Sequence, residues 1–397
     1  MSYCRNTCGL TPPPKANIIL GEVGRGCSER GNISRSLRQT APSAPPCGII
    51  AGVKTLELQL HREWSPALQE EWNALLAESP SHCPFLRFEY LDIWWRRRGG
   101  GEWPPESQLA LITARQEERL LGIAPLFWTP NHLGEPALLF LGSIEISDYL
   151  DFIARTGDLP AFLDALLPAL QELRGELPFT VLDLYNLPEE SPTLDALEAA
   201  AARHGWSFHK EFCQPCPTIP LPSDWETYLS GLDKKQRHEI RRKLRRAESL
   251  EPPARWYMVT ERETLDAEIE ALLSLMEQDD EKRAFLTPAM RETMREMIHC
   301  SFDLGCLRLA FLEVGGEKAA AYLAFDYLQQ VWLYNSGFDR RFNDYSPGWV
   351  LLSYFIRWAI ENRYREFDFM RGGEDYKYRF GARQRCVMRV RLQPPAA

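Results

Sequence analysis

The order of predicted helices and strands repeats once along this chain, at a spacing of about 200 residues. Phe85-Leu86 begins a helix that leads to a strand pair within 109–128, and Phe285-Leu286 stands before a helix that leads to a strand pair within 307–327. Helices combined with mostly antiparallel strands are typical of an α+β protein and not of a doubly wound α/β sheet. The sequence therefore predicts an α+β fold with two similar halves.

The chain is long enough for two ordinary domains, since it has 397 residues. Its first fifty residues are rich in Pro, Gly, Ser and Arg and contain only two acidic residues, a composition that cannot form a packed core. We expect four segments: a disordered segment at 1–50, a first domain at 51–222, a basic helix and linker at 223–254, and a second domain with the candidate site at 255–397.

Charge and motifs exclude several classes of protein. The net charge of -9 argues against a wholly basic nucleic-acid binder, and no run of about 18 apolar residues predicts a membrane span. No Walker loop, GxGxxG, GxSxG or HExxH motif is present. The ten cysteines follow no disulfide pattern, and the seven histidines follow no metal-ligand spacing. We therefore expect a cytoplasmic protein without a metal site.

The run from Glu366 to Gly381 collects charged side chains where a strand opens into a glycine turn. Alternation along a strand places Phe367 and Phe369 on one side and Asp368 and Met370 on the other, so a carboxylate lies on an otherwise apolar strand. Three more charged residues follow closely: Arg371, Glu374 and Lys377. Such a cluster is either a reactive site or an ion-pair network that only fixes the turn.

A basic amphipathic helix is predicted within 225–248. Its apolar stripe includes Ile240 and Leu244, and most of its remaining surface is cationic. The cations are Lys234, Lys235, Arg237, Arg241, Arg242, Lys243, Arg245 and Arg246. This face is either simply solvated or binds an anionic partner such as a phosphate-bearing substrate, RNA or a membrane surface.

A second basic segment leads from Arg340 and Arg341 through Ser346 and Gly348 into an apolar helix. The amide groups and the positive end of the helix dipole favour an anion at such a helix start. A pyrophosphate would suit this position, although a capped helix with surface arginines has the same pattern.

The strand ending Phe367-Asp368-Phe369-Met370-Arg371-Gly372, the run Glu374-Asp375-Tyr376-Lys377 and Phe380-Gly381 together resemble the CelD/BcsL group of acetyltransferase-like proteins, in the GNAT superfamily. The resemblance covers roughly 54–392, and 85–98 with Ser147-Asp148-Tyr149 resemble the first half of that family. It implies two tandem GNAT-like (acyl-CoA N-acyltransferase) domains arranged as in the FemABX peptidyltransferases, with the working site in or beside the second.

The chemistry that the resemblance implies is attack of an amine or hydroxyl on the thioester of acetyl-CoA or another acyl-CoA, without a metal. Asp368 or Glu374 would accept the proton of the nucleophile, and Arg371 and Lys377 would orient the base or bind an anionic acceptor. The remaining roles fall on two groups: Asp148 and Tyr149 reaching the cleft from the first half, and Arg340, Arg341, Ser346 and Gly348 binding the pyrophosphate.

Three functions remain open on the sequence. The first is a cytoplasmic acyltransferase for a sugar or small polar acceptor, associated by family with polysaccharide biosynthesis. The second is a FemABX-like aminoacyl-tRNA-dependent transferase, which the basic helix at 234–246 favours. The third is a non-catalytic GNAT-like scaffold, favoured because Asp344 stands where the usual pyrophosphate signature has its first glycine.

Overall fold

The computed structural model describes residues 35–37 and 56–396. The strands are β1 Arg35–Leu37, β2 Glu57–His61, β3 Gln108–Leu109, β4 Leu111–Gln116, β5 Arg119–Ala124, β6 Leu126–Pro130, β7 Pro136–Phe140, β8 Ile153–Ala154, β9 Val181–Pro188, β10 Ser207–Pro215, β11 Thr218–Pro220, β12 Arg255–Met258, β13 Leu307–Val314, β14 Glu317–Tyr327, β15 Gln330–Phe338, β16 Glu366–Asp368 and β17 Cys386–Gln393. The helices are α1 Gln69–Ala77, α2 Phe88–Gly101, α3 Leu159–Leu173, α4 Thr193–Arg203, α5 Trp225–Gly231, α6 Lys234–Glu248, α7 Leu265–Met276, α8 Asp280–Phe285, α9 Pro288–Asp303, α10 Pro347–Glu361 and α11 Asp375–Arg379. Apart from β1, the predicted disordered segment 1–50 lies outside the described residues.

The first half contains two groups of strands, in the orders β1-β2-β4-β5-β8 and β10-β17-β9-β7-β6-β3. They continue one another, because only Ala110 separates β3 from β4 and only Pro125 separates β5 from β6. Proline has no N–H to donate to a sheet, which fits a break at that residue. β3 and β4 are therefore two parts of one interrupted strand, as are β5 and β6, and these strands connect the two groups.

The second half contains one sheet, in the order β11-β16-β15-β14-β13-β12. All its neighbours are antiparallel except β15 and β16. Gly315 and Gly316 form the two-residue turn between β13 and β14, with φ values of 62° and 83° that suit glycine. The α+β class and the mostly antiparallel sheets predicted from the sequence are confirmed.

The repeated order of elements also holds in space. Helices precede the central hairpin of each half, and the last helix before each hairpin, α2 in the first half and α9 in the second, packs against the other. Gly100 allows this close approach, because a Cβ at that position would lie 2.7 Å from Sδ of Met290. Arg97 and Glu296 add an ion pair at 2.8 Å across the same contact. The two halves therefore form one packed body.

The two halves exchange strands. The last strand, β17, lies between β9 and β10 in the first half, whereas the sequence places it in a second domain at 255–397. Conversely, β11 precedes 223 in the chain but pairs with β16 of the second half. Sheet pairing depends on contacts that are distant in sequence, so hydrophobic pattern alone could not assign these two strands.

The predicted helix within 225–248 is two helices in the structure. Leu232 is extended, and the Asp233 side chain caps α6 by accepting a hydrogen bond from the amide of Gln236 at 3.0 Å. Ile240 and Leu244 are buried, as the apolar stripe predicts. None of the helices within 56–396 has both the length and the apolar character needed to cross a membrane.

Candidate active site

The two parallel strands of the second half separate after a short paired stretch. Gln330 pairs with Glu366 and Trp332 pairs with Asp368, after which β16 ends while β15 continues to Phe338. After β16 the chain turns away from β15 and toward the residue that precedes β11, since the Phe369 amide donates to the Pro217 carbonyl at 3.0 Å. The result is a divergence between β15 and β16, and Asp368 lies at the point where it begins.

Asp368 is 2% exposed and faces the first half of the molecule. The Tyr149 hydroxyl donates a hydrogen bond to its Oδ2 at 2.9 Å, and the Met370 amide donates to its Oδ1 at 2.6 Å. Burial raises the pKa of Asp368 to about 7, although the Met370 and Tyr149 hydrogen bonds act in the opposite direction. A carboxyl group with this pKa can both accept and release a proton near neutrality.

Phe367 and Phe369 lie in the core beneath α10, on the side opposite Asp368. Met370 joins the separate core that the two halves share. The period of two read from the sequence is therefore present, and it leaves the carboxylate facing the interface between the halves.

Asp148 and Arg371 form a second contact between the halves, as an ion pair. Both side chains are largely buried, at 11% and 17% exposure. Arg371 also donates to the Glu145 carbonyl at 2.7 Å. Burial alone would lower the pKa of Arg371, but the Asp148 carboxylate has the larger, opposite effect. The pKa of Arg371 is therefore raised. Arg371 therefore holds the loop that carries Asp148 and Tyr149 against the second half.

A cavity of about 180 Å³ opens beside Asp368 between the two halves. Tyr149, Trp332 and Asp368 line this cavity, and so do Glu366 and Arg385, which form an ion pair at 2.8 Å. Its lining is both polar and apolar, which suits a small polar molecule.

Lys377 and Glu374 pair at 2.9 Å, with the lysine only 3% exposed. The Lys377 ammonium also donates to the carbonyls of Phe369, Arg371 and Gly372 at 3.2, 3.0 and 2.9 Å. These contacts hold the glycine turn after β16 in place. For Lys377, the structure thus favours the turn-fixing interpretation over direct contact with an acceptor.

Lys282 and Ser336 also lie at the divergence, and the sequence did not single them out. The Lys282 ammonium donates to the carbonyl of Ser336 at 2.5 Å and to its hydroxyl at 3.1 Å. Glu374 lies near enough to act on Lys282 electrostatically. The signal was hidden because Lys282 belongs to an Asp-Asp-Glu-Lys-Arg run that is typical of a solvated helix.

The predicted pyrophosphate loop is a tight turn from Arg340 to Tyr345 that leads into α10. Arg340 is exposed, and Arg341 pairs with Asp339 at 2.7 Å and with Glu317 at 2.8 Å. The structure therefore directs the Arg341 guanidinium toward carboxylates of its own chain. Gly348 packs closely on β15, because a Cβ there would lie 2.5 Å from the Phe338 ring.

A cation from α6 contacts the start of α10. Lys243 donates to the Ser346 hydroxyl at 2.8 Å and lies 4.7 Å from the centre of the Trp349 ring. Arg246 donates to the carbonyl of Asp344 at 2.9 Å. Because α6 and the loop are distant in sequence, no local motif joined them. The residues described include no group of three or more His, Cys, Asp or Glu side chains arranged to hold a metal ion.

Comparison with known proteins gives a match to one domain family and a similarity in fold to solved structures. Residues 234–378 match the family of the acetyltransferase (GNAT) domain. The fold resembles the crystal structure of FemX, with a TM-score of 0.58 at 12% identity over 81% of this chain and 95% of that chain. It also resembles a conserved protein of unknown function from Bacteroides thetaiotaomicron, with a TM-score of 0.54 at 13% identity over 84% of this chain and 99% of that chain.

No curated protein matches the sequence. The similarity to solved structures concerns the fold, whereas the domain match covers α6, the divergence and most of the turn that follows β16. Residues 234–378 are therefore a GNAT-type acetyltransferase domain, and the chain is an acyltransferase.

Proposed function

We propose that this protein transfers an acetyl or other acyl group from acyl-CoA to an amine or hydroxyl of a sugar or other small polar acceptor. The observation that carries the proposal is the buried Asp368 carboxyl group, which Tyr149 of the opposite half holds beside a cavity. The resemblance to the CelD/BcsL group adds a role in polysaccharide biosynthesis. The division into domains at 222 and 254 also remains a proposal, except for β11 and β17, which each pair with strands of the other half.

Asp368 is the proposed base. The acceptor must lose a proton as it attacks the thioester carbonyl, and a carboxylate with a pKa of about 7 can take that proton at neutral pH. Tyr149 stabilises the ionised carboxylate through its hydroxyl, and Arg371 positions Tyr149 by holding the neighbouring Asp148. Glu374 is the weaker candidate, because it pairs with Lys377.

The start of α10 fits a phosphate group. Its first residue, Pro347, has no N–H group. The amides of Gly348 and Trp349 have no acceptor inside the helix, because they lie in its first turn. Lys243 supplies a positive charge at Ser346, and the Trp349 indole Nε1 is buried without a hydrogen-bond partner among the described residues. We propose that Lys243, Ser346 and Gly348 bind the pyrophosphate of acyl-CoA, with Arg340 and Arg341 at the edge.

Calorimetric titration of the purified protein with acetyl-CoA and CoA tests the donor. We expect saturable binding that Lys243→Ala weakens about 5- to 10-fold, since a partly exposed ion pair between a lysine and a phosphate contributes about 1 kcal/mol. Arg341→Ala is the matched comparison, and its effect should be smaller because Asp339 and Glu317 already hold this guanidinium. Absence of CoA binding would contradict the proposal.

A FemABX-like aminoacyl-tRNA-dependent transferase is the second candidate, and the surface of α6 favours it. Six of its basic residues are exposed: Lys234, Lys235, Arg241, Arg242, Arg245 and Arg246. Such a face can neutralise several phosphates of a nucleic acid, and binding would then weaken steeply with salt. Filter binding of bulk tRNA at two salt concentrations distinguishes the candidates, because the acyl-CoA enzyme needs no tRNA affinity.

A further inference from the structure

Lys282 reaches the divergence between β15 and β16 because of a glycine. A Cβ at Gly337 would lie 2.6 Å from Cβ of Leu275, so glycine lets the end of α7 lie directly on β15. The chain then continues into α8, whose Asp279 cap accepts the Lys282 amide at 3.1 Å. This arrangement brings the Lys282 ammonium to the carbonyl and hydroxyl of Ser336.

The surroundings of Lys282 favour its neutral amine. Burial lowers the pKa of Lys282 to about 8, partly opposed by the carboxylates of Asp279 and Glu374 and assisted by the charge of Lys377. Compared with an ordinary lysine of pKa about 10.4, this gives roughly 100-fold more neutral amine near pH 7.5. The proposed mechanism, in which Asp368 is the base, does not use this nucleophile.

We propose that Lys282 is a self-acylation site, which takes an acyl group from the donor bound at the divergence between β15 and β16. The inference rests on the proposed use of acyl-CoA. It is carried by the place where the Lys282 amine contacts β15. This contact is at Ser336, which lies beyond the last paired residues Trp332 and Asp368 and before the loop that leads to α10. A donor lying along β15 from the start of α10 passes this amine.

The step forms an amide bond between Nζ and the acyl carbon and breaks the carbon–sulfur bond of the thioester. The amine loses one proton to the Glu374 carboxylate or to water, and the thiolate gains one on leaving as CoA. The amide keeps one N–H for Ser336 but no charge, so Glu374 then faces Lys377 alone. Self-acylation would therefore both fill the divergence and change its electrostatics.

The experiment is incubation of the intact protein with acetyl-CoA, followed by peptide mass spectrometry over time. We expect Lys282 to be acetylated at least about 10-fold faster than the exposed Lys234 and Lys235, which serve as internal controls. The rate should rise with pH and level off above about pH 8. Desulfo-CoA should suppress the labelling by occupying the donor site, and Lys282→Arg should remove it.

Each outcome decides the proposal. Measured CoA binding with Lys282 unlabelled, or labelled no faster than Lys234, would overturn the self-acylation site and leave the proposed function standing. Labelling that desulfo-CoA does not suppress would indicate reaction from bulk solution and also overturn it. If calorimetry shows no CoA binding, the proposed function and this inference fail together.

Discussion

In both halves of the molecule two parallel strands pair and then diverge, but their surroundings differ. In the first half, β7 and β9 pair at Leu138 and Leu182, and the loop after β7 fills the divergence. The Leu150 amide donates to the Asn186 carbonyl at 2.9 Å, and the Asn186 side chain donates to the Ser147 carbonyl at 2.7 Å. In the second half, polar side chains border the corresponding divergence.

The loop that fills the divergence of the first half is held in place by several hydrogen bonds. The Glu102 carboxylate accepts hydrogen bonds from the Ile144 amide at 3.2 Å and the Glu145 amide at 3.3 Å, and the Trp103 indole donates to the Ser143 carbonyl at 2.5 Å. This loop presents Asp148 and Tyr149 to the second half. The two halves therefore differ in role: the loop of the first half carries Asp148 and Tyr149 to the second half, where the proposed donor site lies.

The largest expected effect is on the proposed base. Asp368→Asn should lower acetyl-CoA turnover with hydroxylamine as a surrogate acceptor by about 10²- to 10⁴-fold, because the amide cannot accept the proton. CoA affinity, measured by calorimetry, should stay unchanged. Asp195→Asn, on the exposed face of α4, is the control and should keep full activity. An active Asp368→Asn protein would move the chemistry away from this residue.

The buried ion pair between Asp148 and Arg371 should contribute more to the free energy of unfolding than the exposed ion pairs between the halves. Asp148→Ala leaves the buried Arg371 guanidinium unpaired, and we expect a loss of about 3–5 kcal/mol in the free energy of unfolding. Glu296→Ala removes a more exposed contact between α2 and α9 and should cost about 1 kcal/mol or less. Urea denaturation compares the two. Equal losses would contradict the special role of the Asp148 loop.

Tyr149 should have a smaller effect, visible in the pH dependence. Asp368 acts as a base only when ionised, so activity should fall as the pH drops below about 7. Tyr149→Phe removes a hydrogen bond that stabilises the carboxylate, which should raise the pKa of Asp368 and move this acid limb to higher pH. A profile of kcat/KM against pH measures the shift. If the acid limb stays at the same pH, Asp368 is not the group that accepts the proton.

Local signals in the sequence predicted local structure well. Thr-Pro is a common helix start and Gly-Gly a common hairpin turn: Thr287-Pro288 starts α9, with the threonine side chain accepting the Met290 amide at 3.2 Å, and Gly315-Gly316 forms the turn between β13 and β14. Period-two alternation also placed Asp368 on the face opposite the phenylalanines. These features depend on residues a few positions apart, which propensity and capping describe.

Long-range features were missed for a common physical reason. The strand exchange of β11 and β17, the approach of Lys243 to Ser346 and the burial of Lys282 all depend on how distant elements pack. Arg341 shows the converse, since its spacing suggested a phosphate ligand but its neighbours in space are Asp339 and Glu317. No single-sequence pattern reports such neighbours.

The most direct test of the unequal halves is hydrogen exchange of backbone amides with and without CoA, followed by mass spectrometry. We predict that CoA slows exchange along β15 and in the first turn of α10, around Ser346 and Gly348. Exchange in the corresponding loop of the first half, around Ser147 and Leu150, should not change. Protection of the first-half loop instead would contradict a donor site in the second half.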